Sequence, residues 1–268
     1  MRWPDRIWVI GCGNMGGAIL QAWLDHGAPV ANISIIDPNP FRLPEGLSAS
    51  SSFPTGGVPD LVLLATKPQI LGDVAPLLRP HIGSHSKLVS ILAGVGTETL
   101  EHLFPQADTV MRLVPNMAVT VGKSPMILYS RQITDKSRLQ MDDLFAPLGF
   151  AEWVADEDLL HIATALSGSG PAFLFRFIDG LAAGGRQMGL PEDQAARLAL
   201  AMVEGAALLA ARSAEDPGTL ADQVASPGGT TRKGLDVMDA DGRVDGLLLD
   251  VLEAAATRSR EMAEEAKA

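Results

Sequence analysis

Short, near-continuous apolar runs recur through the first half of the chain: Ile7–Ile10, Ile33–Ile36, Leu61–Leu64, Leu88–Ile91 and Val110–Leu113. Runs of this kind predict strands buried on both faces, and so a parallel sheet covered by helices. Between the first two, Met15 to His26 repeats apolar positions at helical spacing and stops at Gly27. Strand, glycine-rich turn, helix and strand make a βαβ unit. The rhythm breaks from Pro38 to Pro59, which is rich in Pro, Gly and Ser. That stretch predicts an abbreviated connection or a plain surface loop in place of a full helix and strand.

Near residue 155 the strand signal ends. Helices are predicted over Pro171–Met188, Pro191–Ser213 and Pro217–Ala225, and from Val244 into the charged tail. The domains are therefore expected at 1–155, α/β, and 156–268, all-helical. The second helix is apolar on nearly every side, more than a small domain can cover, so a second copy of the chain is expected to cover part of it.

Charge narrows the function classes. The 268 residues carry 21 Lys+Arg against 32 Asp+Glu, a net charge of −11. This argues against nucleic acid or an anionic membrane as partner, since both need a basic footprint. A small anion held by backbone amides stays open. The single cysteine excludes an internal disulfide or a Cys-rich zinc site. No secretory leader is read at the start, and no apolar run is read as long enough to span a membrane, Glu204 and glycines breaking the candidates. These features predict a soluble, cytoplasmic protein.

Two motifs carry chemistry. Gly11-Cys12-Gly13-Asn14-Met15-Gly16 follows the first strand and opens the first helix. In such a loop the first glycine makes the tight turn, the second admits a pyrophosphate and the third lets helix and strand pack closely. Asp37, ending the second strand, suits the ribose hydroxyls of NADH and repels the extra phosphate of NADPH, or else serves as a turn residue before Pro38. Arg42 could offset that repulsion. Cys12 reads as a small side chain beneath the cofactor, with a redox role as the alternative. The second motif, Ser226-Pro227-Gly228-Gly229-Thr230-Thr231, lies between two helices. Its amides and hydroxyls form a nest suited to a carboxylate, or a plain interhelical turn with a Thr cap. Ser167-Gly168-Ser169-Gly170-Pro171 reads as a turn capping a helix or a loop of close approach. Gly122-Lys123-Ser124 lacks the first glycine of a P-loop, and Tyr129 has no Lys four residues on. The five histidines have no metal spacing and read as surface or capping residues; no metal site is expected.

These motifs together, with Ala65-Thr66-Lys67-Pro68-Gln69, Arg112-Leu113-Val114-Pro115-Asn116 and Leu166-Ser167-Gly168-Ser169-Gly170-Pro171-Ala172, resemble the pyrroline-5-carboxylate reductase family in content and order. The resemblance implies a Rossmann-like domain, a helical dimerisation domain and an active site near the dimer interface of a homodimer or an oligomer of dimers. It implies NAD(P)H-dependent reduction of 1-pyrroline-5-carboxylate to L-proline. By that resemblance Gly11 to Gly16, Ala65, Thr66, Lys67, Pro68 and Ala93 lie along the dinucleotide, and Lys67 acts through its backbone. Ser226, Gly228, Gly229, Thr230 and Thr231 hold the substrate carboxylate, Thr231 lies near the ring nitrogen as the catalytic residue, and Glu157 lies close to the substrate. The chain departs from the family at Pro115-Asn116-Met117-Ala118 and in the short Pro38–Pro59 region. A β-hydroxyacid dehydrogenase would need a helix-borne lysine, for which Lys233 is the candidate, and a non-catalytic dinucleotide sensor would have no use for the second motif.

Overall fold

Alternation along each strand explains why both faces of the sheet are covered. The strands are β1 (Ile7–Ile10), β2 (Ile33–Ile36), β3 (Ala49–Ser50), β4 (Leu61–Leu64), β5 (Lys87–Ser90), β6 (Thr109–Val114), β7 (Ser124–Tyr129) and β8 (Gly149–Trp153). In the computed structural model, which describes residues 2–41 and 43–266, they form one sheet of order β3-β2-β1-β4-β5-β6-β7-β8. Ile7, Val9, Ile35, Leu61 and Leu63 point to one face, packed by Ile19 and Trp23 of α1 (Asn14–Asp25) and by Leu144 and Phe145 of α4 (Asp135–Phe145). Trp8, Ile10, Ile36, Val62 and Leu64 point to the other, under α2 (Leu71–Leu78) and α3 (Thr97–Leu103). Each such side chain contributes about 1.5–3 kcal/mol of burial. Trp23 also donates its indole N–H to the Leu144 carbonyl at 3.1 Å, tying α1 to the end of α4.

The sheet is not wholly parallel. β6 and β7 pair antiparallel, while β7 and β8 pair parallel. The reason is length: the link from Val114 to Ser124 holds only a 3₁₀ turn, Met117–Val121, and a parallel crossover needs a dozen or more residues. Between β2 and β4 the described residues contain no helix and only the two-residue β3.

The chain divides into two compact units, Met1–Ser169 with Ala254–Ala268, and Gly170–Glu253. The expected boundary at 155 falls just after β8. The first unit runs on through α5 (Leu159–Ala163) and a π-helical turn, Thr164–Gly168. The Ser167–Pro171 motif is therefore not an extended loop; it runs from the π-helical turn through a bend at Ser169 into α6 (Gly170–Gln187).

The second unit holds α6, α7 (Glu192–Arg212), α8 (Pro217–Val224), α9 (Thr230–Asp239) and the first part of α10 (Arg243–Glu265). Its helices leave large apolar side chains bare, including Phe175, Leu200 and Leu209. Contrary to the sequence expectation, α7 is long and apolar enough to cross a membrane by length and composition. Glu204 does not break it.

Candidate functional site

The glycine loop is built as its spacing implies. Gly11 has φ +95°, and a Cβ there would come within 2.7 Å of the Ala65 carbonyl oxygen. A Cβ at Gly16 would come within 2.7 Å of the Gly11 carbonyl oxygen. Gly13 caps α1 without a side-chain bond, and nothing lies within 4 Å of where its Cβ would be. Two glycines thus press loop, helix and β4 together, while the middle one faces open space at a positive helix end, where phosphates bind.

Asp37 fastens this loop. Its Oδ2 accepts the Cys12 N–H at 2.6 Å and its Oδ1 accepts the Asn39 N–H at 2.8 Å. The loop answers with the Cys12 carbonyl, which accepts the Phe41 N–H at 3.0 Å. Burial, and then the Asp37 charge, pushes the Cys12 thiol up to about 11. A thiol that stays protonated at neutral pH is a poor redox group, so the geometry favours the small-side-chain reading. Arg42 lies outside the described residues.

Ala65 to Pro68 leave the end of β4, where the Ala65 N–H bonds the Ile10 carbonyl at 2.8 Å. Lys67 and Pro68 begin a 3₁₀ turn. Thr66 Oγ1 is buried with no hydrogen-bond partner, a state shown by no other described buried side-chain oxygen or nitrogen. An unsatisfied polar atom of this kind beside the loop fits a segment completed by a polar ligand. Ala93 is exposed on the next connection, after β5.

A charged cluster lies inside the first unit. Glu157 Oε1 accepts the Thr97 N–H at 2.8 Å and Arg112 Nη1 at 2.9 Å, and its Oε2 accepts the Thr97 hydroxyl at 2.6 Å. Burial pushes this carboxyl up, but the bonds from Thr97 and Arg112 outweigh it and hold it below the usual range. His161, expected at the surface or a cap, is buried with Nδ1 2.8 Å from Ser259 Oγ. Burial first, then the charges of Arg112 and Arg260, hold its imidazole below the usual value. Thr97 was not singled out in the sequence. Arg112 carried a visible signal, a cation in an otherwise apolar strand, which demands a buried partner. Asn116, just before the chain leaves the family pattern at Met117-Ala118, is also buried; it accepts the Ala118 N–H at 2.8 Å and donates to the Ser167 carbonyl at 2.9 Å.

In the second unit, the turn from Ser226 reaches α9 through Gly228, at φ +73°. Gly229 occupies the capping position and makes no side-chain cap bond, so neither threonine caps the helix. Ser226, Thr230 and Thr231 are exposed. The first turn of such a helix leaves its backbone N–H groups without intrahelical partners, which suits an anion. Arg232 pairs with Asp222 at 2.5 Å and holds the turn to α8. Lys233 pairs with Asp236 at 3.4 Å on the exposed side of α9.

A glycine-loop sheet followed by helices with uncovered apolar faces defines the class: an NAD(P)-dependent oxidoreductase that self-associates. Residues 157–262 match the family described as Pyrroline-5-carboxylate reductase dimerisation, and residues 6–94 match NADP oxidoreductase coenzyme F420-dependent. A pyrroline-5-carboxylate reductase of Pseudomonas aeruginosa is 32% identical over 97% of this chain and 97% of its own length. The structure of one from Coxiella burnetii superposes with a TM-score of 0.89 at 27% identity, covering 97% of this chain and 98% of that one. A Plasmodium falciparum pyrroline carboxylate reductase with NADP bound gives 0.81 at 25% identity, over 97% and 98%. The chain belongs to the pyrroline-5-carboxylate reductase family. Helix α7, with its bare apolar surface, lies inside the dimerisation match, and that domain implies self-association.

Proposed function

We propose that the chain reduces 1-pyrroline-5-carboxylate to L-proline as a cytoplasmic homodimer or oligomer of dimers. In this reading residues 1–155 bind the dinucleotide, and residues 156–268 dimerise and bind substrate. Gly11 to Gly16 take the pyrophosphate, with Ala65 to Pro68 and Ala93 further along the cofactor. The observation that carries the substrate assignment is the uncapped start of α9, with Ser226, Thr230 and Thr231 exposed around it.

A reduced nicotinamide supplies the hydride. The imine is electrophilic once protonated, so the protein's work is positioning. The α9 amides and the Ser226 hydroxyl hold the carboxylate, Gly228 and Gly229 let it approach the backbone, and the Thr231 hydroxyl orients the ring nitrogen. This explains how a chain of net charge −11 binds an anion without a basic patch.

Asp37 sets the coenzyme preference toward NADH. Both of its oxygens accept backbone N–H groups, which holds the carboxylate in place at the end of β2, where the extra phosphate of NADPH would approach. The test is oxidation of NADH and of NADPH by the purified chain with pyrroline-5-carboxylate added. Imine-dependent oxidation, faster with NADH, is expected. No oxidation of either coenzyme would overturn the function, and a large NADPH preference would overturn the role of Asp37.

A further inference from the structure

The connection from β5 to α3, which presents Ala93, is fastened at two points within the first unit. At its far end Thr97 gives both its amide and its hydroxyl to Glu157, which sits between β8 and α5. Near its start Gly94, at φ +79°, runs so close to α10 that a Cβ would lie 2.7 Å from the Met262 carbonyl oxygen. Glu157 and Met262 belong to the two stretches through which the chain leaves this unit and returns to it. Ala93 itself is exposed.

Both oxygens of the Glu157 carboxylate are also engaged. Three donors from Thr97 and Arg112 occupy its two oxygens, and the Arg112 and Glu157 side chains are only 9% and 25% exposed. The sheet order then says which part of a ligand this connection meets. An acid at the end of β2 faces the adenosine ribose. A dinucleotide lying across the strand ends therefore runs from β2 over β1 toward β4 and β5, three strand spacings or about 14 Å away. The β5–α3 connection is on the nicotinamide side.

We propose that Glu157 is a positioning residue for the nicotinamide half of the coenzyme, acting through Thr97 and the Ala93–Gly96 backbone, and not a substrate ligand. The proposal rests on the dinucleotide reading of the glycine loop. Without the Thr97 clamp the connection keeps its contact with α10 and the buried Leu92 and Val95 side chains, but it loses the two bonds that fix its far end beside Ala93.

The experiment titrates NADH, NADPH and ADP-ribose, which lacks the nicotinamide, into the full-length wild type, Glu157→Ala and Thr97→Val, with no imine present. For Glu157→Ala the reduced coenzymes should bind roughly ten- to a hundredfold more weakly and ADP-ribose within about twofold of wild type. Thr97→Val keeps the ion pair, so it covers the case of a Glu157 variant that fails to fold; it should shift the same ligands in the same direction by roughly three- to tenfold. Unchanged coenzyme affinity in Glu157→Ala overturns the proposal, and a raised KM for the imine in a separate turnover assay of that variant makes Glu157 a substrate ligand. An equal loss of NADH and ADP-ribose affinity overturns it too, because general loosening carries no preference for the nicotinamide. A wild type that binds none of the three removes the dinucleotide reading itself.

Discussion

Alanine at Gly13 and alanine at Gly11 should fail in opposite ways. Gly13 has φ −80° and ψ −160°, a conformation open to any residue, and nothing lies within 4 Å of its missing Cβ. Replacing a glycine cap by alanine costs up to about 1 kcal/mol, offset by about 0.4–1 kcal/mol from a less flexible unfolded chain. The melting temperature of Gly13→Ala should therefore stay within about 2 °C of wild type. Its methyl group, however, occupies the space a pyrophosphate must enter. Losing one or two charge-assisted bonds, about 3 kcal/mol, weakens dinucleotide binding roughly a hundredfold. Gly11→Ala meets left-handed strain of about 1–2 kcal/mol plus overlap with backbone atoms, which cannot rotate away as a side chain would. A loss of roughly 2–4 kcal/mol there lowers the melting temperature by about 4–15 °C. Thermal melting and coenzyme fluorescence titration on the same preparations read both quantities. Wild-type coenzyme affinity in Gly13→Ala would refute the assignment of this loop, however the Gly11 variant behaves.

Further outcomes are expected from the same geometry. Thr231→Ala should lower turnover at least roughly tenfold with coenzyme affinity almost unchanged; normal turnover removes Thr231 from the mechanism. Leu209→Glu, placed on the bare face of α7, should yield monomers by light scattering at micromolar concentration, since burying an unpaired charge costs several kcal/mol. The pH dependence of stability follows from His161 and Glu157, both held below their unfolded values. As pH falls the unfolded chain takes up the proton first. The His161 contribution is thus present above about pH 6.5 and lost as pH drops through its lower folded value, and that of Glu157 is present above about pH 4.3 and lost in the same direction. Melting temperature should decline from about pH 6.5 downward, and His161→Gln should flatten the upper part of that decline; a flat profile in the wild type contradicts the reading.

Much of this protein is local, and local features are legible in order along the chain. The βαβ unit, the glycine loop and the main helices need only neighbours a few residues apart, and Ile7–Ile10 or Leu61–Leu64 show their two-sided burial by composition alone. The edge strand β8 was missed because its burial alternates and its apolar run is weak, and β7 because Ser124 and Pro125 open a short run that pairs antiparallel with β6. The Ser226–Thr231 turn was visible in the sequence, but its uncapped state depends on Gly229 holding the cap position.

What the linear order determined was which segments fold as strand, loop or helix, because hydrophobic period and turn chemistry act over single elements. What only the tertiary structure decided was who meets whom: Arg112 with Glu157, 45 residues apart, Asp37 with the amide of Cys12, and the tail of α10 returning to the β5–α3 connection. A buried charge announces that it needs a partner. Its identity depends on how the elements pack, and no spacing along the chain contains that information.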